Sequence, residues 1–153
     1  MDVRFINPFV QGIDSVFQTM LSIQPKRRPV KIDRASGNGA ALTSLVGLSG
    51  QVQGVVVLRF PLDTALRLAG RMLATEINEV NEEVVDAISE IVNMVAGSAK
   101  AKLGYDPPLN LGLPTVVQGD NYRMRYPTGS TWLKVPFESE VGEFALEVTF
   151  ESD

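Results

Sequence analysis

Histidine and cysteine are both absent from this chain of 153 residues. Without histidine, the chain cannot build a Ser-His-Asp or Cys-His nucleophile system, and it lacks the usual side chain for acid–base catalysis and for zinc or iron sites. Without cysteine, it can form neither a disulfide framework nor a reactive thiolate. Any catalysis must therefore depend on carboxylates, amides, hydroxyls, lysine or arginine.

The chain also lacks a concentration of positive charge and a long apolar run. Its net charge is −4, and its densest basic run, Lys26-Arg27-Arg28, lies between two prolines and is typical of a solvated turn. We therefore expect no nucleic-acid partner. No apolar stretch approaches the roughly 20 residues that span a bilayer, and the first residues do not resemble a signal peptide. These absences predict a cytoplasmic protein with no membrane association.

What the sequence does contain is a set of helix and strand patterns in a mixed order. Apolar residues recur every three or four positions in two long segments, which predicts helices over 8–21 and from 78–81 to 103. Asn7, followed by Pro8, is expected to cap the first helix. A shorter helix is predicted after Pro61. Strands are predicted at 30–33, 41–49, 51–60, 109–118, 122–126, 130–138 and 144–151.

This order of elements predicts an α+β fold in one domain over residues 1–153. An antiparallel β-sheet is expected, with the two long helices packed on one face. The two halves of the chain are loosely alike, since each runs from a long helix into strands and closes on a strand ending in phenylalanine, Phe60 or Phe150. The similarity suggests a pseudo-duplicated unit.

The second long helix has two distinct faces. Its apolar stripe is expected to face the sheet and contains Val84, Val85, Ile88, Ile91, Val92, Val95, Ala99 and Leu103. The opposite face contains Glu83, Asp86, Glu90, Asn93, Met94, Gly97 and Ala101. On that face Asn93 costs roughly 0.5 kcal/mol of helix stability and Gly97 about 1 kcal/mol. A flat surface of this kind indicates close approach of a partner, although Gly97 could serve internal packing and Glu90 could be an ordinary solvated acid.

The segment Glu90-Ile91-Val92-Asn93, within residues 86–100, resembles the signature helix of the CheC/CheX/FliY family of response-regulator phosphatases. The family motif is Glu-x-x-Asn followed by small residues. Segments 60–69 and 113–119 and the first helix are also similar to that family, so the resemblance covers nearly the whole chain. The first helix carries no Glu-x-x-Asn, a departure from two-site CheC proteins that resembles one-site CheX proteins.

The resemblance implies a CheC/CheX-like fold and a phosphatase that dephosphorylates a CheY-like response regulator, in chemotaxis or related two-component signalling. In this interpretation Asn93 orients the attacking water and Glu90 pairs with a lysine of the regulator. The surrounding contacts to the partner are expected from Asp86, Met94, Gly97 and Ala101. The alternative is a non-catalytic binding module of the same fold that sequesters or scaffolds a regulator.

The resemblance also implies an oligomeric state and the source of the metal ion. A homodimer is expected, because CheX proteins are dimers joined through their sheets. No cofactor or metal site of the chain's own is expected, since the bound regulator would supply Mg²⁺.

Overall fold

The computed structural model describes residues 3–33, 42–119 and 131–152. A 3₁₀ turn, Val3–Ile6, leads into the first of three α-helices, which are α1 (Asn7–Leu21), α2 (Leu62–Leu73) and α3 (Glu82–Leu103). The strands are β1 (Lys26–Arg27), β2 (Lys31–Asp33), β3 (Leu42–Ser49), β4 (Val52–Phe60), β5 (Asn110–Leu111), β6 (Thr115–Gln118), β7 (Trp132–Glu138) and β8 (Phe144–Ser152). The predicted strand over 122–126 lies outside the described residues.

The strands form one antiparallel sheet whose order reveals a duplicated unit. The order is β1-β7-β8-β4-β3-β5, with β2 also pairing with β7 and β6 with β3. Each half of the chain contains a helix, two short strands and a hairpin, in that order. The first half runs from α1 to β4, and the second half runs from α3 to β8. The inner strands β4 and β8 pair at the centre, and the short strands of each half add to the outer strand of the other half's hairpin. The pseudo-duplicated α+β architecture is therefore confirmed.

Helices α1 and α3 lie side by side on one face of the sheet, as the two apolar stripes predict. From α1, the Phe9 ring contacts Phe150 and the Phe17 ring stacks on Phe144, both in β8. Helix α3 instead packs against β3 and β4. The main hydrophobic core fills the layer between these helices and the sheet.

Three details of the predicted elements are wrong. The basic run at 26–28 is exposed but is not only a turn, because Lys26–Arg27 form β1, which pairs with β7. Asn7 does not cap α1, because the preceding 3₁₀ turn runs directly into the helix and the cap position falls on Ile6, which has helical dihedral angles. An N-cap needs a non-helical backbone, which this junction does not provide. The predicted strand over 109–118 is also interrupted, since β5 ends at Leu111 and β6 begins only at Thr115.

Within the described ranges, no helix combines the length and the apolarity needed to cross a bilayer.

Candidate active site

Helix α3 is capped at both of its ends. The Asn81 side chain accepts a hydrogen bond of 2.9 Å from the backbone N–H of Val84, as an N-cap does. Glu82 and Glu83 follow in the first turn, where negative charge is favoured by the helix dipole. At the other end Gly104 takes a left-handed conformation, with φ +71°, which few other residues adopt readily. These signals fix the length of α3.

The buried face of α3 sets the rotation of the helix. The fully buried positions are Val84, Ala87, Ile88, Ile91, Val92, Val95, Ala96 and Ala99. The predicted stripe is therefore confirmed over most of its length, although Val85 and Leu103 are only half-buried. With this face against the sheet and α1, the opposite face must be presented outward.

The predicted site residues lie on this outward side, but they are not equally accessible. Asp86, Glu90 and Ala101 are exposed. Asn93 and Gly97 are half-buried, and Met94 is half-buried because its side chain packs against the core. Met94 therefore offers a partner less of its surface than the helical pattern suggested.

Glu90 and Asn93 form a neighbouring pair of a carboxylate and an amide. They are three residues apart, which places them about 60° apart around the axis and about 4.5 Å apart along it. Neither side chain has a hydrogen-bond or ion-pair partner among the residues that the structure describes. Both are therefore available to a bound molecule.

The β5–β6 segment runs along one flank of this pair. At one end, a Cδ of Leu111 lies 4.0 Å from where a Cβ on Gly97 would be. At the other end, Gln118 shares a cleft of about 340 Å³ with Asp86. Rotation by 100° per residue puts Asn93 on the same side of Glu90 as Asp86 and Gly97. Asn93 thus lies on the flank of α3 that faces this segment.

The side chains present here limit the chemistry of the site. An amide offers both a hydrogen-bond donor and an acceptor, whereas an ionised carboxylate only accepts. Across the described parts of the chain, no group of three or more Asp or Glu side chains could hold a metal ion. The amide is therefore suited to positioning a water molecule, and the carboxylate to binding a cation.

Two neighbours of the site were missed from the sequence. Gln118 lies beside Asp86, and Leu113 projects from the break between β5 and β6 with 90% of its surface exposed. Both lie in the segment 109–118, which the alternation of residues had predicted as one strand. The available signal was Gly112 and Pro114 on either side of Leu113, since glycine and proline inside a strand often mark a bulge.

Comparisons with known proteins agree on one family. The family model for the chemotaxis phosphatase CheX matches residues 42–138. The CheY-P phosphatase CheX of Thermotoga maritima is 27% identical over 128 residues, which are 82% of this chain and 82% of that protein.

Solved structures give the same result for the fold. The chemotaxis protein CheX of Vibrio vulnificus superposes with a TM-score of 0.86 at 32% identity, covering 97% of this chain and all of that one. A CheX chain crystallised with CheY, BeF₃ and Mg²⁺, from Borrelia burgdorferi, superposes with a TM-score of 0.77 at 24% identity over 99% of this chain and all of that one.

Proposed function

This chain belongs to the CheX family of chemotaxis phosphatases, and we propose that it hydrolyses the aspartyl phosphate of a CheY-like response regulator. The reaction transfers the phosphoryl group to water, so that the P–O bond to the aspartate breaks and inorganic phosphate leaves. The observation that carries the proposal is the Glu90–Asn93 pair, which faces outward and has no partner among the described residues. The 27% identical relative that acts on CheY-P supports the choice of substrate.

Asn93 is the residue that we assign to the attacking water. An acyl phosphate is already activated, so its hydrolysis requires a water held in line with the leaving oxygen more than it requires a strong base. The Asn93 amide can accept a hydrogen bond from the water and donate one to a phosphoryl oxygen. This assignment does not require a titrating side chain, which suits a chain without histidine.

Glu90 is assigned to recognition. A carboxylate near a phosphoryl group repels it unless a cation lies between them, so Glu90 must be matched by a positive group of the regulator. A lysine beside the phosphorylated aspartate would serve, and the resulting pair would set how deeply α3 inserts. Mg²⁺ carried by the regulator would supply charge neutralisation at the phosphoryl oxygens.

The test is phosphate release from a panel of phosphorylated response regulators. At saturating phosphatase, Asn93→Ala should lower the single-turnover rate on the order of 100-fold or more, as removal of one preorganised hydrogen-bonding group does in other active sites. Glu90→Gln should instead weaken binding by about 2–5 kcal/mol, the usual cost of truncating a buried charge pair. Affinity and saturated rate are measured separately for each variant.

Matched controls show whether these effects belong to the site. Gln18→Ala removes an exposed amide from α1, and Glu143→Gln neutralises an exposed acid before β8. Both should behave as wild type. Near wild-type turnover by Asn93→Ala at saturation would mean that this amide does not position the water. A wild-type rate no faster than the regulator's unassisted hydrolysis would favour the alternative, a binding module that sequesters the regulator.

The assembly and location of the protein are part of the same proposal. A homodimer acting in the cytoplasm is supported by membership of the CheX family. Light scattering on the purified chain would measure its mass directly, and a monomer at working concentration would contradict the dimer.

A further inference from the structure

The edge of the sheet beside Asn93 contains one extra residue. Leu48 pairs with Leu111 in β5, whereas Leu45 pairs with Thr115 in β6. Two residues of β3 therefore oppose three residues of the edge, Gly112, Leu113 and Pro114. This is the arrangement of a β-bulge, a device that redirects a side chain and is common next to active sites.

The bulge is fixed on both sides, so the backbone that carries its exposed side chain is held in place. The N–H of Gly112 donates a hydrogen bond of 2.8 Å to the carbonyl oxygen of Gly47, and β5 and β6 are each paired with β3. Leu113 is 90% exposed, the highest value among the large apolar side chains that the structure describes. A single exposed leucine is ordinary on a protein surface. The backbone of the bulge is preorganised for contact, so binding would restrict the Leu113 side chain but would cost little backbone freedom.

The bulge lies alongside the proposed catalytic pair. The segment that contains it extends from Leu111, next to Gly97, to Gln118, next to Asp86. Leu113 is near the middle of that segment, and Asn93 is near the middle of the helical stretch between Asp86 and Gly97. These placements put Leu113 on the flank of α3 that carries Asn93, within reach of a protein that docks on Asn93 from this side.

We propose that Leu113 is an apolar anchor for the receiver domain whose phosphoryl group Asn93 attacks, inserting into an apolar patch beside the phosphorylated aspartate. The inference rests on the proposed function, since it takes the occupant from the continuity of this edge with the Glu90–Asn93 surface. Leu113 makes no contact with the reacting atoms in this arrangement. It should therefore determine affinity and choice of regulator, while the rate within the complex depends on Asn93.

The test uses the receiver domain that loses phosphate fastest in the panel, loaded with beryllofluoride and Mg²⁺. Leu113→Ser should weaken its binding about 10- to 100-fold, the loss expected for one buried leucine side chain. The single-turnover rate at saturating phosphatase should remain at the wild-type value. Leu113→Met should retain wild-type affinity, because it keeps an apolar side chain of similar volume.

Ile32→Ser is the matched control, since Ile32 is a large apolar residue, 64% exposed, on β2 at the other edge of the sheet. It should bind as wild type. Any of three outcomes would contradict the role of Leu113 as an anchor. These are unchanged affinity in Leu113→Ser, an equal loss of affinity in Ile32→Ser, and unfolding of Leu113→Ser. Failure of the proposed function is separate, because it appears as a wild-type rate no faster than the unassisted hydrolysis of every regulator in the panel.

Discussion

Asn93 lies near the middle of α3, where asparagine disfavours a helix by roughly 0.5 kcal/mol relative to alanine. Its side chain is half-buried and has no hydrogen-bond partner in the part of the chain that the structure describes. The residue therefore recovers none of that cost through hydrogen bonds to the described residues. A loss of activity in Asn93→Ala can then be separated from a loss of stability, because the variant should melt at or slightly above the wild-type temperature.

A second single residue, Asp14 on α1, gives a prediction about pH. Asp14 lies on the exposed side of α1, but partial burial of its carboxyl raises the pKa above the ordinary value of 3.8, and the positive charges of Arg27 and Lys102 offset only part of that effect. A carboxyl with a raised pKa in the folded state stabilises the fold at low pH, and this contribution is lost as the pH rises through the folded pKa. We therefore expect Asp14→Asn to be more stable than wild type at about pH 7, with a difference that shrinks as the pH falls toward 4.

Urea unfolding of the two proteins, measured at the same series of pH values, checks the Asp14 prediction. Gln11→Asn, at another exposed position on α1, introduces an asparagine into the same helix without removing a charge, so its effect on stability should not change with pH. If Asp14→Asn is instead the less stable protein near neutral pH, attraction to Arg27 and Lys102 outweighs the cost of burial.

At the scale of the element, the same substitution should act in opposite directions in α1 and α3. A Cβ added at Gly12 would lie 3.0 Å from the backbone oxygen of Val95, so α1 and α3 would have to move apart. A Cβ added at Gly97 would have Leu111 as its nearest described neighbour, at 4.0 Å, an ordinary contact distance. Gly97→Ala should stabilise the protein by up to about 1 kcal/mol through helix propensity. Gly12→Ala should destabilise it by about 1 kcal/mol or more through overpacking.

Chemical denaturation of both variants measures directly whether each substitution raises or lowers the free energy of unfolding. Destabilisation by Gly97→Ala would mean that this glycine serves packing inside the fold, which was the alternative that its position in the sequence left open. Stabilisation by Gly12→Ala would mean that the two helices can separate at little cost.

The elements differ in how far the sequence could predict them. The ranges of α1 and α3 and of β3, β4, β7 and β8 follow from local periodicity, and so does the rotation of α3 that exposes Glu90. The predicted Asn7 cap was wrong because capping depends on the conformation of the turn before the helix. The sequence did not predict the bulge at Leu113, because a bulge exists only relative to a partner strand. The partner strand, β3, is more than 60 residues away in the sequence. The sequence therefore predicted the outward placement of the pair that we propose as catalytic, but not the flank beside it.

At the scale of the molecule, the two halves are intertwined rather than adjacent. The short strands β5 and β6 of the second half complete the edge formed by β3 of the first half, and α3 lies over the first half's hairpin. The proposed site therefore combines helix α3 of the second half with the edge strands β5 and β6, which pair with β3 of the first half. Its geometry depends on the central pairing of β4 with β8 being intact.

That central pairing contains a buried ion pair on the sheet face opposite the helices. Arg59 of β4 and Glu147 of β8 are 2.5 Å apart between Nε and Oε1, and both are almost fully buried. The Lys134 Nζ lies 3.9 Å from the other carboxylate oxygen of Glu147. Since Leu58 and Phe60 face the core, the alternation of the strand directs Arg59 away from α3. The pair should therefore affect the stability of the fold and not the chemistry of the site.

Glu147→Gln tests this separation, because it removes the negative charge that lies against buried Arg59 and Lys134. We expect a loss of about 3–5 kcal/mol in the free energy of unfolding, the cost of breaking a buried pair. The exposed pair of Arg28 with Glu138 is the matched control, and Glu138→Gln should cost about 1 kcal/mol or less. The double variant Arg59→Met/Glu147→Leu should recover much of the stability, because buried pairs can often be replaced by apolar side chains. Its single-turnover rate at saturation should equal that of wild type, and a slower rate in this folded variant would show that the far face of the sheet is coupled to Asn93.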